Sequence, residues 1–443
     1  MPKRLVLFFI IILTSALLAQ DQKSISLTAY NNNLGVVREI RSIDLEKGIN
    51  NITFSNVAEL IDPTSVHIKL NANVLEQNFQ YDLVSLEKVL HKYINQNIQL
   101  LSSNGELIEG KLLSSFGNQI VLQKKDGGLL MIPNVDKYTF SVNSLPEGLI
   151  TKPSLIWMIE SKQAGKQDAE ITYQTRGVNW HAEYVAVLNR DDSAVDLNAW
   201  ISLENQSGAT YKNAKLKLVA GDVNLVQPQP RFTGMRKDMM MAEAADQFAE
   251  KEFFEYHIYD LQRQTTIANN ETKQVSLFDA LGIKAIKKYV YSSRTNNKVS
   301  VYIEFDNTEK NNLGMPFPKG KVRVYKSDGS STEFIGEDLI DHTPKNEKIK
   351  LKIGDAFDLI AEEIQKENNR ITDRVYEQVW EIKLKNRKKE NVVVEVERFL
   401  GNNWEIKNAS MEFLKKDSGR IVFNAPVKSD SETVLKYTVR YSY

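Results

Sequence analysis

The chain has 443 residues, 42% of them hydrophobic and 26% charged, a composition typical of a globular protein long enough for several domains. Lys and Arg together number 57, as do Asp and Glu, so the formal net charge is zero and no basic excess favours nucleic acid as a partner. Cys is absent, which excludes disulfides and thiol nucleophiles. The five His are scattered, with no H-x-H or H-E-x-x-H pair, so we expect no metal or other cofactor.

Residues 1–20 have the layout of a secretory signal peptide. Lys3 and Arg4 precede an apolar run over residues 5–18, and the small Ala19 stands just before a polar stretch. The run is about 14 residues long, whereas a membrane-spanning helix needs roughly 17–25. We therefore expect cleavage after Ala19 or the next residue, and no transmembrane segment in the mature chain. The expected location is extracytoplasmic: periplasmic, outer-membrane-associated or secreted.

The first part of the mature chain divides into a β domain and an insert. Residues 21–82 hold short strands and are predicted to form an N-terminal β domain. Residues 83–142 are predicted to be the insert, and apolar residues at helical spacing predict a short helix at its start: Leu86, Val89, Leu90 and Tyr93. About five short strands follow. A helix before five bent strands is typical of a small SH3-like or Sm-like barrel.

Period-two alternation dominates the rest of the chain. Residues 150–336 are predicted to form the main β domain, and residues 337–443 to complete it or to form a second sandwich. Residues 227–252, rich in Met, Ala and acidic residues, predict a flexible insert, with a Met-lined partner-binding segment as the alternative. Residues 355–368 fit either a helix or a strand. The predicted fold class is mainly β, with antiparallel sandwiches, the small barrel insert and few short helices.

Three Gly-containing pairs predict two-residue hairpin turns: Asn104-Gly105, Asp126-Gly127 and Asp328-Gly329. In a type I′ turn both central residues have positive φ, which Asn, Asp and Gly tolerate best. We therefore expect type I′ turns at these three places.

No residue pattern names a reaction. His181 follows Trp180 in a distinctive segment and could act as a base, although a core role for the Trp and a surface role for the His are favoured. Residues 337–342 hold three carboxylates and an imidazole, which could bind a divalent cation, but alternation along a strand would separate them. We predict no catalytic, cofactor-binding or metal site, with four weak candidates only: His181, Asp338, Asp341 and His342.

Five tryptophans leave carbohydrate binding open as a further alternative: Trp157, Trp180, Trp200, Trp380 and Trp404. Their positions in the alternating strands are compatible with core and surface roles alike.

Four stretches, in this order along the chain, carry a family resemblance: Tyr-Gln-Thr-Arg-Gly-Val-Asn-Trp-His-Ala-Glu-Tyr at 173–184, Glu-Asn-Gln-Ser-Gly at 204–208, Gly-Met-Pro-Phe-Pro-Lys-Gly at 314–320 and Asn-Arg-Lys at 386–388. The sequence resembles the mucoidy-inhibitor-like bacterial family, whose main domain has no assigned function, over most of residues 22–443. Many relatives carry a long coiled coil where this chain has its insert, so a coiled-coil partner role is not expected here. The resemblance implies the fold and export, and it supplies no catalytic residues.

The sequence therefore predicts an exported bacterial envelope protein with a structural or partner-binding role and no identified catalytic chemistry. The expected partners are other envelope proteins or surface glycans, and the small barrel is the expected interaction module. The alternatives are an envelope hydrolase or a carbohydrate-binding protein that uses the regions of His181 and residues 337–342.

Overall fold

The structure, a computed structural model, describes residues 22–221, 248–253, 256–294 and 297–442. The predicted signal peptide and most of the predicted flexible insert lie outside these residues. Strands hold 66% of these described residues and helices 4%. The prediction of a mainly β, sandwich-like fold is confirmed.

The first part of the chain contains ten strands and one short α-helix. Its strands and α-helix are β1 (Gln22–Tyr30), β2 (Gly35–Leu45), β3 (Gly48–Ser55), β4 (His67–Lys69), β5 (Asn73–Gln80), α1 (Leu86–Lys92), β6 (Asn97–Ser102), β7 (Leu107–Phe116), β8 (Gln119–Gln123), β9 (Leu129–Ile132) and β10 (Tyr138–Ser141). Short 3₁₀ helices occupy Pro63–Ser65, Val135–Lys137 and Glu309–Asn311.

Longer strands make up the remainder. They are β11 (Ser154–Ser161), β12 (Gly165–Thr175), β13 (Val178–Leu188), β14 (Ala194–Asn205), β15 (Tyr211–Ala220), β16 (Phe248–Phe253), β17 (Tyr256–Leu261), β18 (Thr265–Ile267), β19 (Glu271–Lys284) and β20 (Ile286–Ser292). The last ten are β21 (Lys298–Asp306), β22 (Gly320–Ser327), β23 (Thr332–Ile340), β24 (Lys348–Thr372), β25 (Val375–Asn386), β26 (Val392–Phe399), β27 (Trp404–Ala409), β28 (Phe413–Lys415), β29 (Arg420–Val427) and β30 (Ser431–Ser442).

Within the described ranges the strands form five sheets. Their orders are β16-β17-β15-β1-β2-β12-β4 with β18 beside β15, then β3-β11-β5, β19-β14-β13-β22-β23, β10-β6-β7-β8-β9, and β27-β30-β25-β24-β21-β20-β26-β29-β28. Most neighbours are antiparallel, and the pairs β1 with β15, β13 with β22 and β20 with β26 are parallel. Strands from residues 21–82 and from residues 150–336 share two of these sheets, so the sheets cross the boundary predicted between those two domains.

Three apolar clusters fill the sheets. The largest joins the first three sheets and includes Trp157, Trp180 and Leu351, all 1% exposed or less. The second lies inside the C-terminal nine-stranded sheet, which folds over so that β29 contacts β30 and β25. The third belongs to the insert alone and is centred on Leu100 and Leu122. The insert therefore has its own core.

The insert contains the predicted helix and five strands, but its sheet is open. Strands β9 and β10 form the two edges, and no ladder joins them among the described residues. The predicted small SH3-like or Sm-like barrel is therefore an open five-stranded sheet and not a closed barrel. The sheet curves around its apolar cluster instead, with α1 packed beside β7.

The same strand arrangement occurs twice in the chain, a repeat that the sequence did not reveal. In the first copy, β1 pairs with β2, β2 with β12, β13 with β14 and β14 with β19, while β15 runs parallel to β1. In the second, β20 pairs with β21, β21 with β24, β24 with β25 and β25 with β30, while β26 runs parallel to β20. The long β24 takes the place of both β12 and β13.

Two buried asparagines mark equivalent positions in the two copies. The Nδ2 atom of Asn205 donates to the carbonyl four residues later and to the carbonyls of residues 267 and 268. The Nδ2 atom of Asn386 donates likewise to the carbonyl four residues later and to those of residues 427 and 428. Both side chains are fully buried, and each ties the end of one strand, β14 or β25, to the turn before its partner strand, β19 or β30.

The region that fitted either a helix or a strand belongs to β24. This strand spans 25 residues and pairs first with β21 and then with β25. Ile349 and Leu351 lie in the first core, whereas Leu359 and Ala361 lie in the second. Register shifts between the two halves interrupt the period of two.

The three predicted hairpin turns occur where expected, but they are not of type I′. The glycines Gly105, Gly127 and Gly329 have positive φ, while the residues before them do not. At the third turn, the Asp328 carboxylate accepts hydrogen bonds from the backbone N–H groups of residues 330 and 331, both at 2.7 Å. This side-chain capping favours a longer loop over the two-residue turn.

In the parts of the chain that the structure describes, no helix is both long enough and apolar enough to cross a lipid bilayer.

Gly320 tests the parallel pairing of β13 with β22. A Cβ atom at this position would lie 2.1 Å from the carbonyl oxygen of Ala182, so no side chain fits without moving the backbone. We expect Gly320→Ala to lower the free energy of unfolding by about 2 kcal/mol. Gly354→Ala is the matched control, because a Cβ there has no atom within 4 Å. Thermal unfolding of both variants checks this, and equal melting temperatures would contradict the close approach.

Candidate functional site

The structure brings one predicted candidate, His181, into a polar row on the outer face of the β19-β14-β13-β22-β23 sheet. Along β13, Trp180 and Ala182 point into the core, whereas His181 and Glu183 point outward. The His181 Nε2 atom lies 3.2 Å from Glu183 Oε1. Arg323, on the neighbouring strand β22, forms an ion pair with Glu183 and lies 3.9 Å from Glu337 on β23. Charged and polar groups thus cross three strands.

The other weak metal candidates are held elsewhere. Asp338 Oδ2 accepts the backbone N–H of Lys352 at 2.6 Å, which ties β23 to β24. His342 Nδ1 accepts the backbone N–H of Lys319 at 3.2 Å. Asp341 is exposed to solvent. Across the described ranges, no three His, Asp or Glu side chains are grouped to hold a metal ion.

Trp200 lies beside this polar row. The sequence left open whether it has a core or a surface role. It lies on β14 directly opposite Glu183 and is 39% exposed, while its neighbours Ala199 and Ile201 are fully buried. Trp157 and Trp180 are core residues, as expected for the latter. We call Trp200, His181, Glu183, Arg323 and Glu337 the sheet-face platform.

Trp380 and Trp404 are half-buried residues of the C-terminal sheet. The Trp404 Nε1 atom donates to the carbonyl of residue 418 at 2.7 Å, and the Lys415 ammonium lies 5.1 Å from its ring centre. The five tryptophans therefore do not share one face, and Trp200 alone joins the platform.

Arg323 controls the ionisation of the platform. Its hydrogen bond lowers the pKa of the Glu183 carboxyl below the ordinary 4.5, more than burial raises it, and His181 acts in the same direction. The same pair raises the pKa of Arg323. Glu183 is therefore an anion held by its neighbours, which suits it to hydrogen bonding rather than to proton transfer near neutral pH.

The lowered pKa of Glu183 predicts a pH dependence. A carboxyl whose folded-state pKa is depressed stabilises the fold above its unfolded pKa, near 4.5, and this stabilisation is lost as the pH falls further. We expect Glu183→Gln to be less stable than the wild type at pH 7 by about 0.5–1 kcal/mol, and this difference to shrink as the pH falls below 4.5. Urea unfolding across this range measures it, with exposed Glu106→Gln as control. A difference that does not change with pH would contradict the Arg323 contact.

A second candidate site lies on the insert, the predicted interaction module. The chain enters and leaves the insert at one place, because the backbone N–H of Val84 donates to the carbonyl of Ile150 at 2.9 Å. The Tyr93 hydroxyl, at the end of α1, donates to the carbonyl of Ser144 at 2.8 Å. We call residues 85–148 the module. With its own core and this narrow connection, it is a discrete unit on the larger body.

The outer face of the module carries a polar groove of about 330 Å³. Gln99 donates to Glu109 at 2.7 Å, and Lys125 lies 3.1 Å from the same carboxylate. Two further lysines at the groove, Lys111 and Lys124, have no ion-pair partner among the residues that the structure describes. The groove therefore has a positive charge excess and several amide groups.

Exposed apolar side chains flank this groove on the same face. Leu129 and Met131, on β9, are 57% and 70% exposed. Leu101 and Leu107 form a cross-strand pair of β6 and β7 on the other side. Exposed apolar side chains beside polar and charged groups are a feature of protein-binding surfaces.

No protein-family model matches the chain, and no curated protein matches it. The function proposed below is therefore inferred from the residues of the chain.

Proposed function

We propose that this protein is exported to the bacterial cell envelope and acts there by binding another envelope protein, without catalysing a reaction. The leader-like residues 1–20 support export, and so does the resemblance to the mucoidy-inhibitor-like family. The mature protein is periplasmic, outer-membrane-associated or secreted.

The module carries the proposal for partner binding. A unit with its own core, joined to the body at one point, can be added to a β scaffold without disturbing it. Its groove combines two unpaired lysines with amide groups, and its borders are apolar. The complementary partner is a protein segment with acidic residues beside apolar ones.

Removal of the module tests this function. Because Val84 and Ile150 are hydrogen-bonded neighbours, a short Gly-Ser linker can replace residues 85–148 without straining the remaining sheets. We expect the shortened protein to fractionate with the envelope, to begin after residue 19 or 20, and to lose its crosslinked partner. Retention of the same partners would contradict the role of the module.

A charge reversal separates the groove from the rest of the module. We expect Lys111→Glu with Lys124→Glu to weaken partner capture at least tenfold, because both lysines border the groove without partners among the described residues. Lys389→Glu with Lys416→Glu, at two exposed positions outside the strands of the C-terminal sheet, provides the control for the same change in net charge. Equal capture by the two variants would count against the groove.

The sheet-face platform supports glycan binding as a second candidate function. The indole of Trp200 offers an apolar surface to a sugar ring, and the adjacent charged groups of Glu183 and Arg323 offer acceptors and donors to its hydroxyls. We expect Trp200→Ala to abolish any binding of chito- or cello-oligosaccharides in calorimetry, and Phe116→Ala on the module to leave it unchanged.

The envelope-hydrolase alternative has less support. It needs an acid and a base converging on one cleft, whereas Asp338 and His342 each bind a different backbone N–H group. His181 has an acidic neighbour, Glu183, but Arg323 already pairs with that carboxylate.

A further inference from the structure

A cleft of about 310 Å³ lies between the two sandwich copies, and it shares no lining residue with the two sites above. Its floor is apolar and comes from the end of β13 and from β21, β23 and β24: Leu188, Val301, Ile303, Ile335 and Ile353. Because strands β21 and β24 run through both cores, this floor is part of the rigid framework of the protein.

Three lysines gather at one end of this cleft. Lys287 lies 2.5 Å from the carboxylate of Asp192, and Lys326 pairs with the same carboxylate. Lys388 and Lys287 approach the ring of Tyr289, with ammonium-to-centroid distances of 5.6 and 5.7 Å. The Asp192 carboxylate thus faces two ammonium groups, those of Lys287 and Lys326. Together these three groups have a net charge of one positive unit.

The ionisation of this cluster agrees with that charge. Burial by itself would raise the pKa of Asp192, but hydrogen bonds from both lysines outweigh it and lower the pKa. Burial opposes the charge of Lys287 as well, and the contact with Asp192 raises its pKa above the ordinary value. Asp192 and Lys287 are therefore both charged at neutral pH.

An exposed aromatic residue stands at the rim. Phe357 is on β24 and is 97% exposed, although phenylalanine in a monomeric protein is usually covered. It lines the same cleft as the apolar floor and the lysines. A ligand seated on the floor would cover this ring.

We propose that this cleft binds a small aliphatic carboxylate, with its hydrocarbon chain on the floor and its anionic head among Lys287, Lys326 and Lys388. The volume and the apolar lining are those of a small-molecule site with a few orienting polar groups. Lys287 and Lys326 leave one positive charge over that of Asp192, whereas Lys388 lies 3.6 Å from Glu390 and Asp358 also lines the cleft. The charge that favours an anion is therefore centred on the Asp192 cluster, and it suits a single carboxylate head group. This binding goes beyond the partner-binding function and does not depend on the module.

Calorimetry with octanoate, octanol and octylamine tests the proposal on the full mature chain. We expect octanoate to bind with one-to-one stoichiometry and at least tenfold more tightly than octanol, since only the carboxylate can pair with the lysines. Octylamine should not bind. Equal affinity for the acid and the alcohol, or no binding of octanoate, would overturn the proposal.

Two variants locate the site. Phe357→Ser removes a fully exposed ring, so it should fold normally and weaken octanoate several-fold, whereas Phe116→Ser on the module should change nothing. Lys388→Met should remove most of the preference for octanoate over octanol. Lys348→Met, which breaks an exposed ion pair with Asp306 outside the cleft, is its control.

A peptide that ends in a free leucine carboxylate distinguishes the source of the head group. Binding of this peptide, but not of its amide, together with no binding of octanoate would overturn the assignment to an aliphatic acid. Loss of octanoate binding in both Lys388→Met and Lys348→Met would also overturn it. The module-deleted protein should bind octanoate normally, so failure here is separable from failure of the proposed function.

Discussion

Replacing Arg398 by Met should destabilise the C-terminal sandwich by about 3–5 kcal/mol, the largest effect expected for one substitution in this chain. Arg398 is 5% exposed, and its Nη1 atom lies 2.7 Å from Glu363 Oε2. Its guanidinium carbon also lies 5.0 Å from the ring centre of Trp380 and 5.6 Å from that of Tyr437. Removing it leaves the Glu363 carboxylate buried, with the Tyr291 hydroxyl as its one remaining side-chain donor among the residues that the structure describes.

A second substitution separates the ion pair from packing. If the cost comes from the unpaired carboxylate, Glu363→Met combined with Arg398→Met should recover much of the stability. Arg387→Met is the matched control, because Arg387 pairs with Glu432 at 3.0 Å on the exposed surface and should cost less than about 1 kcal/mol. Hydrogen exchange of the β25 and β30 amides measures each change. Equal effects at Arg398 and Arg387 would contradict the buried pair.

Asn205→Ala and Asn386→Ala should each lower local stability by about 3 kcal/mol. Each substitution removes a fully buried amide from three backbone carbonyl oxygens, at least one of which is itself in a buried hydrogen bond. The control is Asn50→Ala, since the Asn50 amide binds carbonyls in an exposed turn that water can reach. For Asn50→Ala we expect a loss of local stability below about 1 kcal/mol.

The internal repeat predicts where each loss appears. Asn205→Ala should accelerate hydrogen exchange in β14 and β19, and Asn386→Ala should do so in β25 and β30. Because the two asparagines lie in different cores, each effect should stay largely within its own copy. A loss spread evenly over both copies, or no loss from either variant, would contradict the equivalence.

The strands that bury one face could be predicted from the sequence. Leu435, Tyr437 and Val439 alternate with polar residues, and all three lie in the core of the second copy. The order of elements in the insert could also be predicted, since Leu86 and Leu90 keep helical spacing before the first turn. That this sheet stays open could not be predicted, since its edge strands β9 and β10 are consecutive in the chain and yet no ladder joins them among the described residues.

The residues that could not be predicted are those whose role depends on two cores or on distant partners. In β24, Leu351 serves one core and Leu359 the other, so their spacing across a register shift fits no single period. The repeat itself leaves only a short pattern, I-x-L-x-N, ending at Asn205 and at Asn386. Five positions with three shared residues are too few to detect without the strand pairing.

In the candidate sites, too, local alternation predicts some residues, whereas others depend on partners that are distant in sequence. The outward position of His181 beside Glu183 follows from strand alternation. Arg323 is far away in sequence, and it reaches Glu183 only because β22 pairs in parallel with β13. The groove of the module is likewise lined by Gln99, Glu109 and Gln123, which come from three strands and lie on one face. No local pattern in the sequence predicts this grouping.

Photocrosslinking from the groove tests the central claim most directly. A photoreactive amino acid at Gln123, on the groove, should capture one envelope protein in living cells, and the same group at exposed Glu405 on β27 should not. An acidic segment of the captured protein should carry the crosslink. Capture of the same protein from both positions, or of none from Gln123 while the chain is in the envelope, would contradict binding through the module.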